Sequence, residues 1–226
     1  MIDELTHAGA EHLDPGFVAA YERKQDFDPG PDVAVLVGCG LGADSTLVDL
    51  GAGTGRLARA AAEVFGRVVA VDISPVMLDA LERSVIDAGL VNVECVRGGF
   101  LSYEHGGPPA DAAYTRNALH HLPDFWKGIA LERVARMLEP GGVLVVRDLL
   151  YDFRPDEADD VFDRWFGGAV DDPTRGYTRS DFVEHIRTEH STYRWLFEPL
   201  LDAAGFDILE VEYRRSVYGA YTCTKR

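Results

Sequence analysis

Short apolar runs alternate with amphipathic stretches between residues 46 and 150. We predict five strands from the apolar runs, at residues 46–50, 67–72, 91–97, 110–117 and 142–150. The intervening periodicity predicts three helices, at residues 55–65, 74–90 and 127–138. Ser74 is the expected N-cap of the second helix, with Pro75 in its first turn. Strands alternating with helices predict an α/β fold, with a doubly wound, Rossmann-like parallel sheet covered by helices on both faces.

The end of the chain breaks this alternation. Residues 206–213 and 216–224 both read as strands, and only Arg214 and Arg215 separate them. A parallel crossover needs a dozen or more residues. We therefore expect a seven-stranded sheet whose last strand is antiparallel, unless the two runs form one bulged strand.

The remaining segments are helical in pattern. We expect a single domain, divided into an N-terminal helical cap at 1–45, a core at 46–150, a helical insertion at 151–205 and a C-terminal hairpin at 206–226. The insertion follows the fifth strand, on the side of the sheet where open α/β folds bind ligands. It is predicted to be a substrate lid or a helix pair that packs on the sheet.

Composition narrows the classes of function. The 226 residues carry a net charge of −16, which makes nucleic acid an unlikely partner. The three cysteines are scattered, which argues against a disulfide framework and a zinc site. No apolar run has the length of a membrane span, and the N-terminus does not resemble a signal peptide. A cytoplasmic protein is expected.

The most specific motif lies between the first strand and its helix. Asp49, Gly51, Gly53 and Gly55 form a loop in which the backbone can turn tightly and approach a ligand. Arg56 occupies the position where a dinucleotide fingerprint has its third glycine. An acid beside the loop disfavours a pyrophosphate and favours an ammonium group.

A second acid adds to this picture. Asp72 ends the second strand, 21 residues after Gly51, at the place where a carboxylate accepts hydrogen bonds from ribose hydroxyls. A nucleoside with a cationic amino-acid tail, namely S-adenosylmethionine, fits both acids and the loop. A second glycine-rich segment, VLVGCGLG at 35–42, leads into a strand and is predicted to be a helix end.

Taken together, several motifs resemble the class I S-adenosylmethionine-dependent methyltransferases. They are the D-x-G-x-G-x-G loop, Asp72 within VVAVDISPVML, the stretch from Tyr114 to Asp148 that contains ALHHLPD, and the closing antiparallel strand. The ALHHLPD stretch is typical of the branch that acts on small molecules.

The resemblance implies roles for individual residues. Those implied at the cofactor are Asp49, Gly51 and the Asn117 backbone at the methionine end, Gly53 and Gly55 at the turn, Asp72 at the ribose, and Ile73 and Met77 beside the adenine. Many members also have an acid after the third strand, which binds the adenine amino group. Here Gly98 and Gly99 stand in its place, so we expect backbone groups around Gly99 and Phe100 to hold the adenine.

The adjacent histidines His120 and His121 allow three interpretations. Neighbouring side chains at a helix start point about 100° apart, so the pair would not chelate a metal together, and no metal site is predicted. Either histidine could be a catalytic base, since an imidazole titrates near neutrality. Either could instead simply pack or cap the loop. Tyr114 is a further candidate proton acceptor, as are Asp148 and Tyr151.

The resulting hypothesis is an S-adenosylmethionine-dependent methyltransferase that acts on an unidentified small molecule. Three alternatives remain open. An NAD-dependent oxidoreductase is disfavoured by Asp49, Arg56 and the antiparallel strand. A regulatory protein could bind the cofactor without turnover, and an RNA-modifying methyltransferase is the third alternative. The acceptor atom and the oligomeric state are not predicted.

Overall fold

The computed structural model describes residues 2–24, 27–173 and 175–226. Eight strands form one sheet: β1 Thr46–Leu50, β2 Arg67–Asp72, β3 Val93–Arg97, β4 Ala110–Arg116, β5 Leu138–Tyr151, β6 Thr192–Tyr193, β7 Phe206–Arg214 and β8 Tyr218–Lys225. Their order is β3-β2-β1-β4-β5-β8-β7, and β6 pairs with the end of β5. The central strands β1 to β5 pair in parallel, which confirms the predicted α/β class.

The last two strands form an antiparallel hairpin. β8 runs antiparallel to both β5 and β7. Arg215 and Ser216 in the connecting turn have φ values of 57° and 58°, and this left-handed backbone conformation at two successive residues is typical of tight hairpin turns. The predicted antiparallel final strand is confirmed, and the two apolar runs are separate strands.

Nine α-helices surround the sheet in the described part of the chain. They are α1 Glu4–His7, α2 Pro15–Lys24, α3 Gly30–Gly38, α4 Arg56–Ala61, α5 Pro75–Asp87, α6 Asp124–Met137, α7 Ala158–Phe166, α8 Arg179–Thr188 and α9 Arg194–Ala203. The Ser74 side chain accepts a hydrogen bond from the Met77 N–H, so α5 has the predicted N-cap. The glycine-rich segment 35–42 is a helix end, as predicted, since α3 stops at Gly38 and Gly40 has a φ of 90°.

Two differences from the predicted elements concern one helix and one strand. Helix α4 ends at Ala61 rather than at residue 65 and gives way to a turn whose Phe65 is buried. Strand β6 was not predicted, because two residues are too few to produce an alternating pattern. It pairs with Leu150 and Tyr151 and so ties the insertion to the end of β5.

Apolar side chains pack on both faces of the sheet. One core joins the sheet to α6 and α9, and the other joins it to α3, α4 and α5. A third, mostly aromatic cluster centres on Tyr151, Phe153 and Trp165 and lies beneath the insertion. Among the residues described, no helix is long and apolar enough to cross a membrane.

A buried ionic contact fastens the N-terminal segment to the sheet. Asp32 on α3 accepts hydrogen bonds from Arg147 Nε at 2.8 Å, from the Tyr114 hydroxyl at 2.7 Å and from Arg116 Nη1 at 3.3 Å. The Asp32 side chain is only 9% exposed, so its charge depends on these partners.

We therefore expect Asp32→Ala to lower the free energy of unfolding by about 3 kcal/mol, because Arg147 would be left buried without its partner. Urea unfolding followed by circular dichroism measures this loss. Asp44→Ala removes an exposed carboxylate and is the matched control, expected to change stability by less than about 0.5 kcal/mol. Equal effects of the two substitutions would contradict the role given to Asp32.

Candidate active site

The glycine loop lies where β1 meets α4 and borders two neighbouring cavities. Gly51 and Gly53 line both of them, with positive φ values of 74° and 56°. A Cβ on Gly51 would lie 2.4 Å from the Ala118 side chain, so no larger residue fits there. Gly55 does not line either cavity; it starts α4 at a φ of 84° and packs against Leu81.

One of the two cavities is lined by Phe27, Asp49 and Arg116, and we call it the tail cavity. Asp49 presents an unsatisfied carboxyl oxygen to it. The residue is 2% exposed, and its Oδ2 atom has no hydrogen-bond partner among the described residues. Burial, followed by the nearby Asp72 carboxylate, raises the pKa of Asp49 to about 8. A buried acid in this state favours a ligand that brings a positive charge or a hydrogen-bond donor.

Arg116 contributes the opposite charge to the tail cavity. Its guanidinium lies 4.0 Å from the centre of the Phe27 ring, and its buried Nε has no hydrogen-bond partner in the described chain. The unpartnered Arg116 Nε is a hydrogen-bond donor and the unpartnered Asp49 Oδ2 is an acceptor, so the two atoms are complementary to the carboxylate and ammonium groups of an amino acid. The tail cavity therefore fits the methionine end of S-adenosylmethionine.

Asp72 lies in the second cavity, which we call the nucleoside cavity. Its two carboxylate oxygens accept the backbone N–H groups of Gly53 and Ser74, each at 2.8 Å. Burial raises the pKa of Asp72 to about 6, although these hydrogen bonds act in the opposite direction. Ile73 and Met77 line the same cavity, so the apolar and acidic groups expected around a nucleoside are adjacent.

An unexpected carboxylate completes the nucleoside cavity. Glu4 of α1 is 9% exposed and accepts a 2.9 Å hydrogen bond from Ser102 Oγ, which in turn accepts one from the Gly99 N–H. A Cβ on Gly99 would lie 2.4 Å from the Glu4 carboxylate. Glycine at 99 thus makes room for an acid that comes from the N-terminal segment. Gly99 and Phe100 line the cavity, as does Glu4.

A third and larger cavity, which we call the acceptor cavity, has a volume of about 700 Å³. Tyr21 and Asn117 line all three cavities, and His12 and His121 line both the nucleoside and the acceptor cavities. Asn117 has a φ of 49°, an uncommon conformation for a residue other than glycine. The three cavities therefore meet around Tyr21 and Asn117.

His120 lies in the wall of the acceptor cavity between two carboxylates. Its Nδ1 is 2.5 Å from Asp148 Oδ1, and its Nε2 is 2.8 Å from Glu189 Oε2. Burial opposes the charge on His120, but Asp148 and Glu189 outweigh it and raise its pKa to about 9. The charge on His120 in turn holds the pKa of Asp148 below its usual value, despite burial.

His121 has a different environment from its neighbour. Burial, followed by the positive charge of His120, lowers the pKa of His121 to about 3. Its imidazole is therefore neutral at pH 7, and it lines the boundary between the nucleoside and acceptor cavities.

Tyr114 is poorly placed to accept a proton. It is 1% exposed, its hydroxyl donates to Asp32, and burial raises its pKa well above the usual value. The sequence-based suggestion that Tyr114 is a base is therefore not supported by this geometry, because a buried phenolate beside Asp32 is disfavoured.

Comparison with known proteins identifies the family. Residues 47–142 match the family model described as a methyltransferase domain. These residues form a methyltransferase domain, and the match, together with the relatives and solved structures similar to the chain, supports a class I S-adenosylmethionine-dependent methyltransferase. The methyl donor of this family is S-adenosylmethionine.

Individual relatives agree with the assignment. The methyltransferase is 40% identical to the cypemycin N-terminal methyltransferase of a Streptomyces species over 98 residues, which cover 43% of this chain but only 39% of that protein. It is 28% identical to an uncharacterized methyltransferase of Geobacillus kaustophilus, over 83% of this chain and 86% of the relative. The fold is similar to that of the magnesium protoporphyrin IX methyltransferase from Synechocystis, which was solved with bound S-adenosylmethionine. The TM-score is 0.68 at 14% sequence identity, and the similarity covers 100% of this chain and 99% of the other.

Several site residues of this methyltransferase were not found from the sequence. They are Glu4, Arg116, His185 and Glu189. Glu4 lies in a segment with no recognisable motif, and both Glu4 and Glu189 reach the site through tertiary contacts. His185 and Glu189 are spaced four residues apart, as two residues on one face of a helix are. This spacing is a local signal that could have drawn attention to the end of α8.

The pKa of Asp49 leads to a test in the ligand-free protein. Because burial raises this pKa from 3.8 to about 8, the native state retains a proton that the unfolded chain releases from about pH 4 upward. The contribution of Asp49 to stability thus falls as the pH rises from about 4 to 8. Asparagine carries no such proton, so Asp49→Asn should gain stability relative to the native sequence between pH 5 and pH 8.

Urea unfolding of the ligand-free protein at both pH values measures this difference. Asp44→Asn is the control, since Asp44 is exposed, and its difference from the native sequence should stay constant with pH. A constant difference for Asp49→Asn as well would contradict the raised pKa.

Proposed function

We propose that this methyltransferase transfers a methyl group from S-adenosylmethionine to a small molecule bound in the acceptor cavity. The observation that carries the proposal is the junction of the three cavities at Tyr21 and Asn117. A ligand that spans the nucleoside and tail cavities passes this junction, and a molecule in the acceptor cavity approaches it from the other side. Holding two reactants in line contributes much of the rate enhancement in such a displacement.

The proposed cofactor contacts follow from the unsatisfied groups. Asp49 would bind the ammonium group, Arg116 would bind the carboxylate, and the backbone of Gly51 would lie against the same tail. Asp72 retains acceptor capacity beyond its two backbone hydrogen bonds, and we assign it to the ribose hydroxyls. When bound, S-adenosylmethionine supplies a methyl group on a positively charged sulfur.

We assign the adenine to the region between Met77 and Gly99. Ile73, Met77 and Phe100 offer apolar surfaces, and Glu4 offers a carboxylate that can accept a hydrogen bond from the adenine amino group. This arrangement would replace the missing acid after β3. It also gives the N-terminal segment a direct part in cofactor binding.

His121 is the proposed proton acceptor. A hydroxyl or thiol acceptor loses a proton as it is methylated, an ammonium acceptor must lose one before it can attack, and in either case the proton needs a receiving group near the junction. The His121 imidazole lines both cavities that meet there and is neutral at pH 7, so it can take the proton as methylation makes the acceptor hydroxyl a stronger acid than an imidazolium whose pKa is about 3. We assign His120 a positioning role, because Asp148 and Glu189 engage both of its ring nitrogens.

The shape and charge of the site support a small acceptor over a nucleic acid. The acceptor cavity lies among the N-terminal segment, the 118–122 loop and the insertion, and its volume of about 700 Å³ suits a drug-sized molecule. The net charge of −16 disfavours a polyanion. Aromatic side chains in its wall, including Phe17, Trp165 and Phe182, favour a molecule with a large apolar surface.

The cofactor assignment is tested by calorimetric titration with S-adenosylmethionine, S-adenosylhomocysteine and NAD. We expect micromolar binding of the first two and none of NAD, because the tail cavity fits an amino acid rather than a pyrophosphate. Glu4→Gln should weaken S-adenosylhomocysteine binding about tenfold, the cost of one lost charged hydrogen bond. Glu104→Gln changes an exposed carboxylate and is expected to leave the affinity unchanged. Tight NAD binding would overturn the assignment.

The acceptor assignment is tested by screening small hydroxyl, thiol and amine compounds for release of S-adenosylhomocysteine. With an active acceptor, His121→Asn should lower kcat about 100-fold or more and leave the cofactor affinity within about threefold, since proton transfer typically contributes that much. His105→Asn, which changes a histidine outside the three cavities, is the control. An unchanged kcat in His121→Asn would exclude His121 as the proton acceptor, and cofactor binding without turnover of any acceptor would favour a regulatory role.

A further inference from the structure

Three potential metal ligands converge in the wall of the acceptor cavity. They are His120 in the loop after β4, His185 in the last turn of α8 and Glu189 just beyond that helix. One ligand atom from each residue lies within 4.8 Å of the others. Glu189 Oε2 is 2.8 Å from His120 Nε2 and 2.6 Å from His185 Nδ1.

Each histidine is oriented by a partner on its outer nitrogen. His120 Nδ1 lies 2.5 Å from Asp148 Oδ1, and His185 Nε2 lies 2.8 Å from Ser191 Oγ. These partners can accept the ring N–H, so a metal ion that displaces the second proton of His120 would find the inner nitrogen of each histidine directed toward Glu189. Metal-binding histidines commonly show this arrangement, in which the second nitrogen donates to a carboxylate or another oxygen.

The Glu189 carboxylate is not satisfied by the histidines alone. Its Oε2 is buried, and no correctly aligned hydrogen bond reaches it from the described residues despite the two short N···O distances. Buried carboxylates normally have such partners. A cation placed among the three groups would neutralise the oxygen and accept both nitrogen lone pairs.

The backbone around the cluster is held in place by a buried lysine. Lys127 is fully buried, and its ammonium group donates to the carbonyl oxygen of Leu122, to that of His190 and to the Asp124 carboxylate. In addition, the His190 N–H donates to the His120 carbonyl oxygen at 2.9 Å. These contacts fix the insertion against the 118–122 loop and hold the ligands together without a metal.

We propose that His120, His185 and Glu189 bind one divalent transition-metal ion of the zinc class, on the side of the site that holds the acceptor. Two imidazole nitrogens and one carboxylate, with further positions open, form a common ligand set for such ions in catalytic sites. The open positions would face the acceptor cavity, so the ion could bind an oxygen, nitrogen or sulfur atom of the molecule there. His121 is not a member of this group of converging ligand atoms.

The metal site can be tested without methyl transfer. The purified full-length chain, first treated with a chelator, is titrated calorimetrically with Zn²⁺, Mn²⁺, Mg²⁺ and Ca²⁺, and its Co²⁺ form is examined by visible absorption. We expect one Zn²⁺ per chain with at least micromolar affinity, weak or no binding of Mg²⁺ and Ca²⁺, and Co²⁺ bands typical of nitrogen ligation. No binding of Zn²⁺, Mn²⁺ or Co²⁺ would overturn the proposal and identify the cluster as a proton-bearing ion-pair network.

Substitutions of the proposed ligands and of their neighbours test where the ion binds. His185→Ala and Glu189→Gln should each weaken Zn²⁺ binding more than 100-fold, and Asp148→Asn should weaken it about 10-fold to 100-fold as an outer partner. Glu184→Gln changes a carboxylate on the same helix and cavity wall, and it should bind Zn²⁺ normally. Glu189→Gln is nearly isosteric, so it remains informative should His185→Ala not fold.

Two results separate this proposal from the proposed function. Zn²⁺ binding that survives Glu189→Gln, or that Glu184→Gln weakens equally, would show adventitious surface binding and overturn the site. S-adenosylhomocysteine affinity should stay within about threefold in Glu189→Gln, because Glu189 does not line the nucleoside or tail cavities. Failure of metal binding would therefore leave the cofactor assignment intact.

Discussion

The acceptor side of this site depends on a single buried carboxylate at the end of β5. Asp148 accepts hydrogen bonds from the N–H groups of Leu119, His120 and Leu149 at 2.8, 3.2 and 2.7 Å, and its Oδ1 also lies 2.5 Å from His120 Nδ1. It is 2% exposed, so its charge is stabilised almost entirely by these donors. They fix the path of the loop after β4 and the orientation of the His120 ring. The positions of His121, of the Glu189 contact and of the cavity boundary all follow from that loop.

The ends of the sheet strands supply most groups on the cofactor side, and the N-terminal segment and the insertion supply the remaining groups of the site. Asp49, Gly51 and Asp72 come from the ends of β1 and β2, where neighbouring parallel strands deliver polar groups to one edge. Glu4 and Tyr21 come from the N-terminal segment, and His185 and Glu189 come from the insertion. In the function proposed here, the choice of acceptor depends mainly on the N-terminal segment and the insertion, which lie outside the matched methyltransferase domain.

Local spacing explains what could be predicted from the sequence. The glycine loop and the β2 acid are close together along the chain and lie at fixed positions in a strand-loop-helix unit, so their places in the fold follow from pattern alone. The antiparallel final strand follows from a link too short for any crossover. Chain separation explains what was missed. Glu4 meets Gly99 across 95 residues, and Glu189 meets His120 across 69, contacts that no periodicity encodes. The sequence shows that Gly98 and Gly99 stand where many related methyltransferases have an acid after β3. It does not show that Glu4 lies next to Gly99.

The most direct test of the account is a crystal structure of the protein with S-adenosylhomocysteine. We expect the ammonium group within hydrogen-bond distance of Asp49 Oδ2, the ligand carboxylate at Arg116 and the adenine amino group at the Glu4 carboxylate. We also expect the sulfur to lie beside Asn117, facing the acceptor cavity. A ligand whose amino-acid end avoids Asp49 and Arg116, or whose sulfur faces away from the acceptor cavity, would contradict the account.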